Sequence, residues 1–444
     1  MLTDMTTLYL QTLASAAATS LANCTPASIK WNYETGVLLF SLSEASTKAF
    51  CGLLDGSVQK RLSALILPDG SIQGYCLDEF NLDQINAGKL LLREWEASSP
   101  EKKADGEEKD LIAGDPDQHT QHRNTSRGCI QCASHRDSLS YRERLEKAIG
   151  TLAQQLMGQP RIASGSYWHK KIYPYQVWLD GLYMFGPFQA HYGILFGQTD
   201  MVDDVCRQFL FVRDKLRHRQ TGLYFHAMDD SKASRWADQE TGCSPHVWAR
   251  AVGWLAMALV DTLDWIPLAH SKRPYMEEML MDLLDALVRE QRASGLWLQV
   301  MDAPEAKSNY EETSASAMFA YTFYKSLGRG LVTNANRAKI WKKTADSALA
   351  GLITKKVRWE YASEPSIELP TRESMVELST GQSTMPRLHL DGICSVAGLG
   401  GSPYRDGSID YYVGEPIVSD DFKGLGPFML ALTEALCLNQ IILS

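Results

Sequence analysis

Basic residues are too few here to build a face for polyanions: 44 Lys and Arg stand against 53 Asp and Glu in 444 residues, a net charge of −9. Neither nucleic acid nor an anionic membrane is an expected partner of such a chain. No apolar run reaches the roughly 18 residues that a membrane-spanning helix needs. The amino end, MLTDMTTLYLQTLASAAATSLANCTP, has Asp4 and no Lys or Arg where a secretory signal would be positive. It reads as a first helix, and the expected location is the cytoplasm. Nine scattered cysteines, an odd number, fit reduced thiols better than a disulfide framework. The glycosylation sequons at Asn23 and Asn124 are then expected to be chance. The glycines between Gly398 and Gly407 come without a P-loop lysine or a dinucleotide fingerprint, which removes nucleotide chemistry. Clear hairpin signals are scarce as well.

What the chain does have is helical periodicity. Segments 249–266, 275–292, 314–327, 338–354 and 426–443 carry apolar residues at spacings of three and four. Helices of this length, joined by loops over more than 400 residues, point to paired helices in a toroid or solenoid. An internal echo agrees: GSYWH at 165, GLYFH at 222 and GLWLQ at 295 share Gly, any residue, an aromatic, an apolar residue, then His or Gln. Asp229 and Asp302 each follow seven residues after the Gly in the second and third copies. A repeated loop in a helical toroid would gather these tips at one end, a natural cleft. Two stretches break the pattern. Residues 98–137 are polar and lack Phe, Trp and Tyr, and are expected to form a mobile insertion. Residues 363–388, rich in Ser, Thr, Glu and Pro, are expected to be a surface loop. The insertion holds His119, His122, Cys129, Cys132 and His135, enough ligands for a zinc site. No core surrounds them to hold the geometry, so neither metal nor cofactor is expected.

Candidate chemistry therefore falls to carboxylates and aromatics, 11 Trp and 18 Tyr among them. VWLDGLYMFGPF at 177–188 contains one charge, Asp180. A carboxylate in that company either caps a helix or performs chemistry, and this stretch alone leaves both open. In SPHVWARAVGWLAMAL at 244–259, a helix begun near Pro245 would put Arg250 and Trp254 on one face, a clamp for a sugar carboxylate or else core Trp with a surface Arg.

Taken together, these segments resemble glycoside hydrolase family 105, the unsaturated rhamnogalacturonyl hydrolases. The resemblance rests on WNYETG at 31, NLDQIN at 81, YWHKKIYPYQVWLDGLYMFGPF at 167, TGLYFHAMDD at 221, SPHVWARAVGWLAMAL at 244, NYEETSASAMFAY at 309, CSVAGLGGSPYRDGSIDYY at 394 and KGLGPFMLAL at 423. These run in order over nearly the whole chain. The resemblance implies an all-α fold, one (α/α)6 barrel across residues 1–444. It also implies a substrate, the 4,5-unsaturated galacturonyl residue at the non-reducing end of a rhamnogalacturonan oligosaccharide, and a reaction, hydration of the C4=C5 enol ether. Asp180 then matches the general acid/base, with neighbours expected to lift its pKa. Asp83 matches a second carboxylate and His226 the histidine beside the reacting ring. Tyr33, His169, Trp178, Trp248, Arg250 and Trp254 match positions lining the cleft. An unsaturated glucuronyl hydrolase, an epimerase using His169 and His226 on the same barrel, and a silent sugar-binding protein remain as alternatives.

Overall fold

The computed structural model describes residues 2–98, 139–361 and 386–443. Six helices pack side by side into a closed ring: Tyr33–Lys48, Gly88–Ala97, Leu179–Leu195, Ala249–Leu263, Thr313–Gly328 and Phe422–Leu443, the last returning to the first. Each has one partner outside the ring, in the same order Asp55–Ser63, Tyr141–Gly158, Thr199–Lys215, Arg273–Glu290, Ala335–Lys355 and Leu2–Asn23, so that each inner helix is covered by the helix that follows it in the chain and the last by the first. This is the expected (α/α)6 barrel.

Sequence decides which helix goes inside. Ala249–Leu263 is buried at every residue, and its only charges are Arg250 and Asp261. Thr199–Lys215 buries Val202, Val205, Cys206, Phe209 and Val212, a stripe at spacings of three and four, together with Asp204, which is paired with Arg161. Close approach in the inner ring uses glycine. A Cβ on Gly253 would stand 2.6 Å from the Met318 sulfur, so the contact between those two inner helices needs a bare Cα.

Since outer and inner helices alternate along the chain, every outer-to-inner loop falls at one end of the barrel. There the echo becomes a structural repeat. Gly165, Gly222 and Gly295 all take left-handed φ (95°, 78° and 88°), which ordinary side chains resist. Each closes a tight turn: Gly165 N donates to Ile162 O, Gly222 N to His218 O, and Gly295 N to Arg292 O. Four residues on, His169, His226 and Gln299 are buried. Asp229 and Asp302 serve the loops themselves: Asp229 accepts from Ser231 and Ser234, and Asp302 from Val247 N.

Two boundaries need correction. Helix Ala249–Leu263 starts four residues later than Pro245, leaving Trp248 as its N-cap and Arg250 in its first turn. The surface loop expected over 363–388 ends too late: Arg387 and Leu388 belong to strand Arg387–Leu390, antiparallel to Val357–Glu360. Leu388 is fully buried and exchanges hydrogen bonds with the Thr19 hydroxyl, contacts no local composition encodes. The rest of that loop and the His/Cys cluster of the insertion lie outside the described residues. Ser98 and the capping box Ser140/Glu143, which flank the insertion, sit at the barrel end opposite the outer-to-inner loops.

Candidate active site

Two of the repeated loops are tied together by a short β-ladder. Strand Gln176–Trp178 pairs antiparallel with Ala227–Asp229, Trp178 opposite Ala227, and Leu179 N then donates to His226 O. This brings Asp180 and His226 together from positions 46 residues apart. The Asp180 Oδ2 lies 3.4 Å from the His226 Nε2. Helix Leu179–Leu195 begins at Leu179 with Trp178 at its cap position, where no side chain closes the helix end. Asp180 is thus not the N-cap, and its Oδ2 is buried without a hydrogen-bond partner among the described residues. The choice between cap and chemistry is settled against the cap.

On the other side of the imidazole, Nδ1 lies 2.8 Å from the Tyr412 hydroxyl. Burial pushes the Tyr412 pKa well above its ordinary value, so the phenol keeps its proton. The other ring nitrogen, Nε2, faces the Asp180 carboxylate. The expected upward shift of Asp180 is not what results. Burial pushes its pKa up, but the adjacent imidazole of His226, and His169 behind it, outweigh burial and hold the carboxyl below its ordinary value. Without substrate, Asp180 is ionised at neutral pH.

Asp83 sits in the 3-10 turn Leu82–Ile85, whose start is capped by the Asn81 side chain accepting from Asp83 N. Leu82 N donates to His169 O, locking this turn onto the first echo loop. Asp83 Oδ2 pairs with Lys170 Nζ at 2.5 Å, and Oδ1 lies 3.6 Å from His169 Nε2. Burial drives the His169 pKa down to about 4, only partly offset by Asp83, so this imidazole is neutral near pH 7. Its ring stacks on Trp178 (centroids 5.0 Å apart, 14° between planes), and Trp178 meets His226 edge-on at 5.0 Å. One indole therefore holds both histidines.

The other predicted positions gather around this core, with roles the sequence did not separate. Tyr33, part-exposed, feels the charges of Asp83, Asp180 and Arg250 and meets Trp254 edge-on at 6.2 Å. Trp248 stacks on Tyr412 and lies against His226. Trp178, Trp248 and Trp254 are 6%, 1% and 1% exposed, so they are walls behind the polar groups, not open platforms. Arg250 is buried too: its Nη1 donates to the Cys394 carbonyl, with Ser314 Oγ at 3.5 Å. Lys170, Tyr412 and Glu312 escaped the sequence reading. Lys170 adjoins His169 and could have been found there. Glu312 caps helix Thr313–Gly328 through Ala315 N and also accepts from Cys394 N and Ser314 Oγ. Tyr412 approaches His226 across 186 residues, and no local signal announces it.

All six inner helices present their N-terminal ends here, with partial positive charge from unpaired backbone N–H groups. Together with Arg250 and Lys170, they make this end favourable for an anion, beside the unpartnered Asp180 carboxylate. Among the described residues no three His, Cys, Asp or Glu side chains converge as metal ligands. No helix among them is long and apolar enough to cross a membrane.

The family model for Glycosyl Hydrolase Family 88 matches residues 119–364. A Clostridium acetobutylicum structure described as a glycoside hydrolase from family 105 superposes with a TM-score of 0.74 at 34% identity, over 95% of this chain and 98% of that one. A 24.9 kDa protein of the picA locus in Rhizobium radiobacter is 41% identical over 256 residues, 57% of this chain and 99% of the relative. The Bacillus subtilis unsaturated rhamnogalacturonyl hydrolase YesR is 31% identical over 214 residues, 47% of this chain and 56% of the relative. Sequence, barrel and family model agree, and the chain belongs to the glycoside hydrolases of families 88 and 105.

Proposed function

We propose that the protein is an unsaturated rhamnogalacturonyl hydrolase, which removes the 4,5-unsaturated galacturonyl residue from the non-reducing end of rhamnogalacturonan oligosaccharides without metal or cofactor. The observation that carries this reading is the unpartnered Asp180 carboxylate facing His226 at the positive end of the inner helices. The name of the 31% identical relative supports the choice of sugar. In the reaction, Asp180 gives a proton to C4, positive charge develops at C5 and the ring oxygen, and water adds to C5 while returning a proton to Asp180. The hemiketal opens to a C5 ketone, and the hemiacetal left at C1 releases the neighbouring sugar. His226, oriented by Tyr412, holds Asp180 in place, and Asp83 orients the water with His169 and Lys170. A neutral His169 is poorly suited to the paired acid/base work of an epimerase at neutral pH.

The test is ultraviolet absorbance. Hydration destroys the conjugated enol-carboxylate, so absorbance falls as an unsaturated rhamnogalacturonan disaccharide is consumed. Unchanged absorbance with this substrate, or turnover only of unsaturated glucuronyl oligosaccharides, overturns the reading.

The depressed Asp180 pKa adds a pH prediction. A carboxyl ionised in the free enzyme must be protonated in the complex, and the substrate carboxylate beside it would raise its pKa. Activity is expected to fall as pH rises through that group, with the falling limb at higher pH in kcat than in kcat/KM. Coincident limbs would show that substrate charge does not tune the acid.

Arg250 is assigned to the substrate carboxylate through whatever donors its contact with Cys394 leaves free. Arg250→Lys, which cannot reproduce a planar fork, is expected to lower kcat/KM on the free uronate roughly tenfold to a hundredfold, and much less on its methyl ester. Equal losses on both substrates would leave Arg250 only its packing role.

A further inference from the structure

At the far end of the barrel, where the inner helices terminate, a second cavity of about 390 Å³ opens among Glu44, Lys48, Arg93, Asp264, Lys325 and Arg329. That volume lies in the range of small-molecule pockets. Its rim is exposed, with the Arg329 side chain at 53%, while Lys89 at its floor is 4% exposed. The rings of Tyr183 and Trp254, stacked 5.0 Å apart and both buried, fill the interior between this cavity and Tyr33 at the reaction end.

Most charges here satisfy one another. Glu44 pairs with Lys48 and Arg93, and Lys325 bridges Asp261 and Asp264, which also takes Arg329. Cations at helix C-termini need no ligand to explain them. Two buried charged atoms of the lining are different, while a third unpartnered atom, His191 Nε2, lies 3.0 Å from Glu96 Oε2. Lys89 Nζ has no hydrogen-bond partner among the described residues and rests against the faces of Tyr183, 3.7 Å from the centroid, and Phe40, 4.7 Å. Asp261 uses one oxygen for Tyr321 and Lys325, while its Oδ2 has no partner. An unsatisfied buried ammonium and an unsatisfied buried acceptor are costly unless something fills both needs.

We infer that this cavity is a second ligand site, which takes a small monoanionic polyhydroxy acid, a sugar acid, with its carboxylate on Lys89 and a hydroxyl donating to Asp261 Oδ2. The lining chooses among anions. Five cations, Lys48, Lys89, Arg93, Lys325 and Arg329, face four carboxylates, Glu44, Glu96, Asp261 and Asp264, so one ligand charge balances the lining and a second does not, which disfavours phosphate esters and oligouronates. Asp261 is already neutralised by Lys325 at 2.7 Å, so it calls for a neutral donor and not for the ammonium of an amino acid. Alternating acids and bases on the rim match further hydroxyls, and Trp265 offers an aromatic face. Burial holds the Lys89 pKa down to about 7, against Asp261 and Glu44, which raise it, and alongside Arg93 and Lys325, which lower it. His191, also in the lining, is kept neutral by burial at about 3. A carboxylate on Lys89 would therefore bring a proton with it at pH 8.

The test is titration calorimetry of the full chain with D-galacturonate, with D-galactose and glycine as neutral and zwitterionic controls. Saturable binding of galacturonate alone is expected. Lys89→Met should weaken it about tenfold or more, the usual effect of losing a charged hydrogen bond, while Asp180→Asn leaves it unchanged. In wild type, binding at pH 8 should take up protons, seen as a heat that varies with the buffer's ionisation enthalpy, and binding at pH 6 should not. This second measurement does not depend on how the variants fold. Absence of binding, equal binding of glycine, binding insensitive to Lys89→Met, or loss with Asp180→Asn each overturns the site. The last outcome places galacturonate at the reaction end. Failure of the rhamnogalacturonan reading alone would leave all these results standing.

Discussion

Asp180→Asn is expected to fold like wild type and to lose about 10² to 10⁴ of the turnover, the usual worth of a positioned acid/base. Folding should survive because the lost oxygen accepts no hydrogen bond and caps no helix. An amide keeps the shape of the carboxylate, but it cannot deliver or recover a proton. The measurement is initial rate by loss of ultraviolet absorbance, beside a melting curve to show the fold. Retention of more than about a tenth of wild-type activity would remove Asp180 from the proton transfer.

Lys325→Met is the largest expected effect on stability. The ammonium is 5% exposed, 2.7 Å from Asp261 and 2.8 Å from Asp264, and these carboxylates hold its pKa above the ordinary value despite burial. A methionine of similar length fills the space but leaves Asp261, 4% exposed, without its counter-charge. Removing one partner of such a buried pair costs about 3–5 kcal/mol. The midpoint of urea unfolding should fall accordingly, while kcat per folded molecule is kept, since Tyr183 and Trp254 stand between this cluster and the reaction end. Adding Asp261→Asn should recover part of the loss, because the stranded charge is then gone. A single variant as stable as wild type would mean that water reaches Asp261 and replaces the pair.

Local chemistry made much of this protein legible without coordinates. Apolar spacing marked five helices within a few residues of their observed ends, because burial of a stripe or of a whole helix is written in the side chains that form it. The repeated Gly with an aromatic and a His or Gln marked the turns into the inner helices, since left-handed φ selects glycine wherever the fold repeats the turn. Asp180 stood out because a lone carboxylate in an apolar run needs a reason. What the sequence left open depended on neighbours distant in the chain. Only the pairing of Gln176–Trp178 with Ala227–Asp229 sets Asp180 against His226, and this contact reverses the expected direction of the Asp180 pKa. Tyr412, 186 residues from His226, comes within 2.8 Å of its Nδ1. Arg250 turned out to be buried against Cys394, and Leu388 lies in a strand opposite Trp359 and bonds the Thr19 hydroxyl, 369 residues away. The unpartnered Lys89 exists as a feature only once five inner helices enclose it. Periodicity and turn chemistry act over a few residues and are carried by each segment, whereas desolvation and charge pairing are sums over whatever the closed ring brings together.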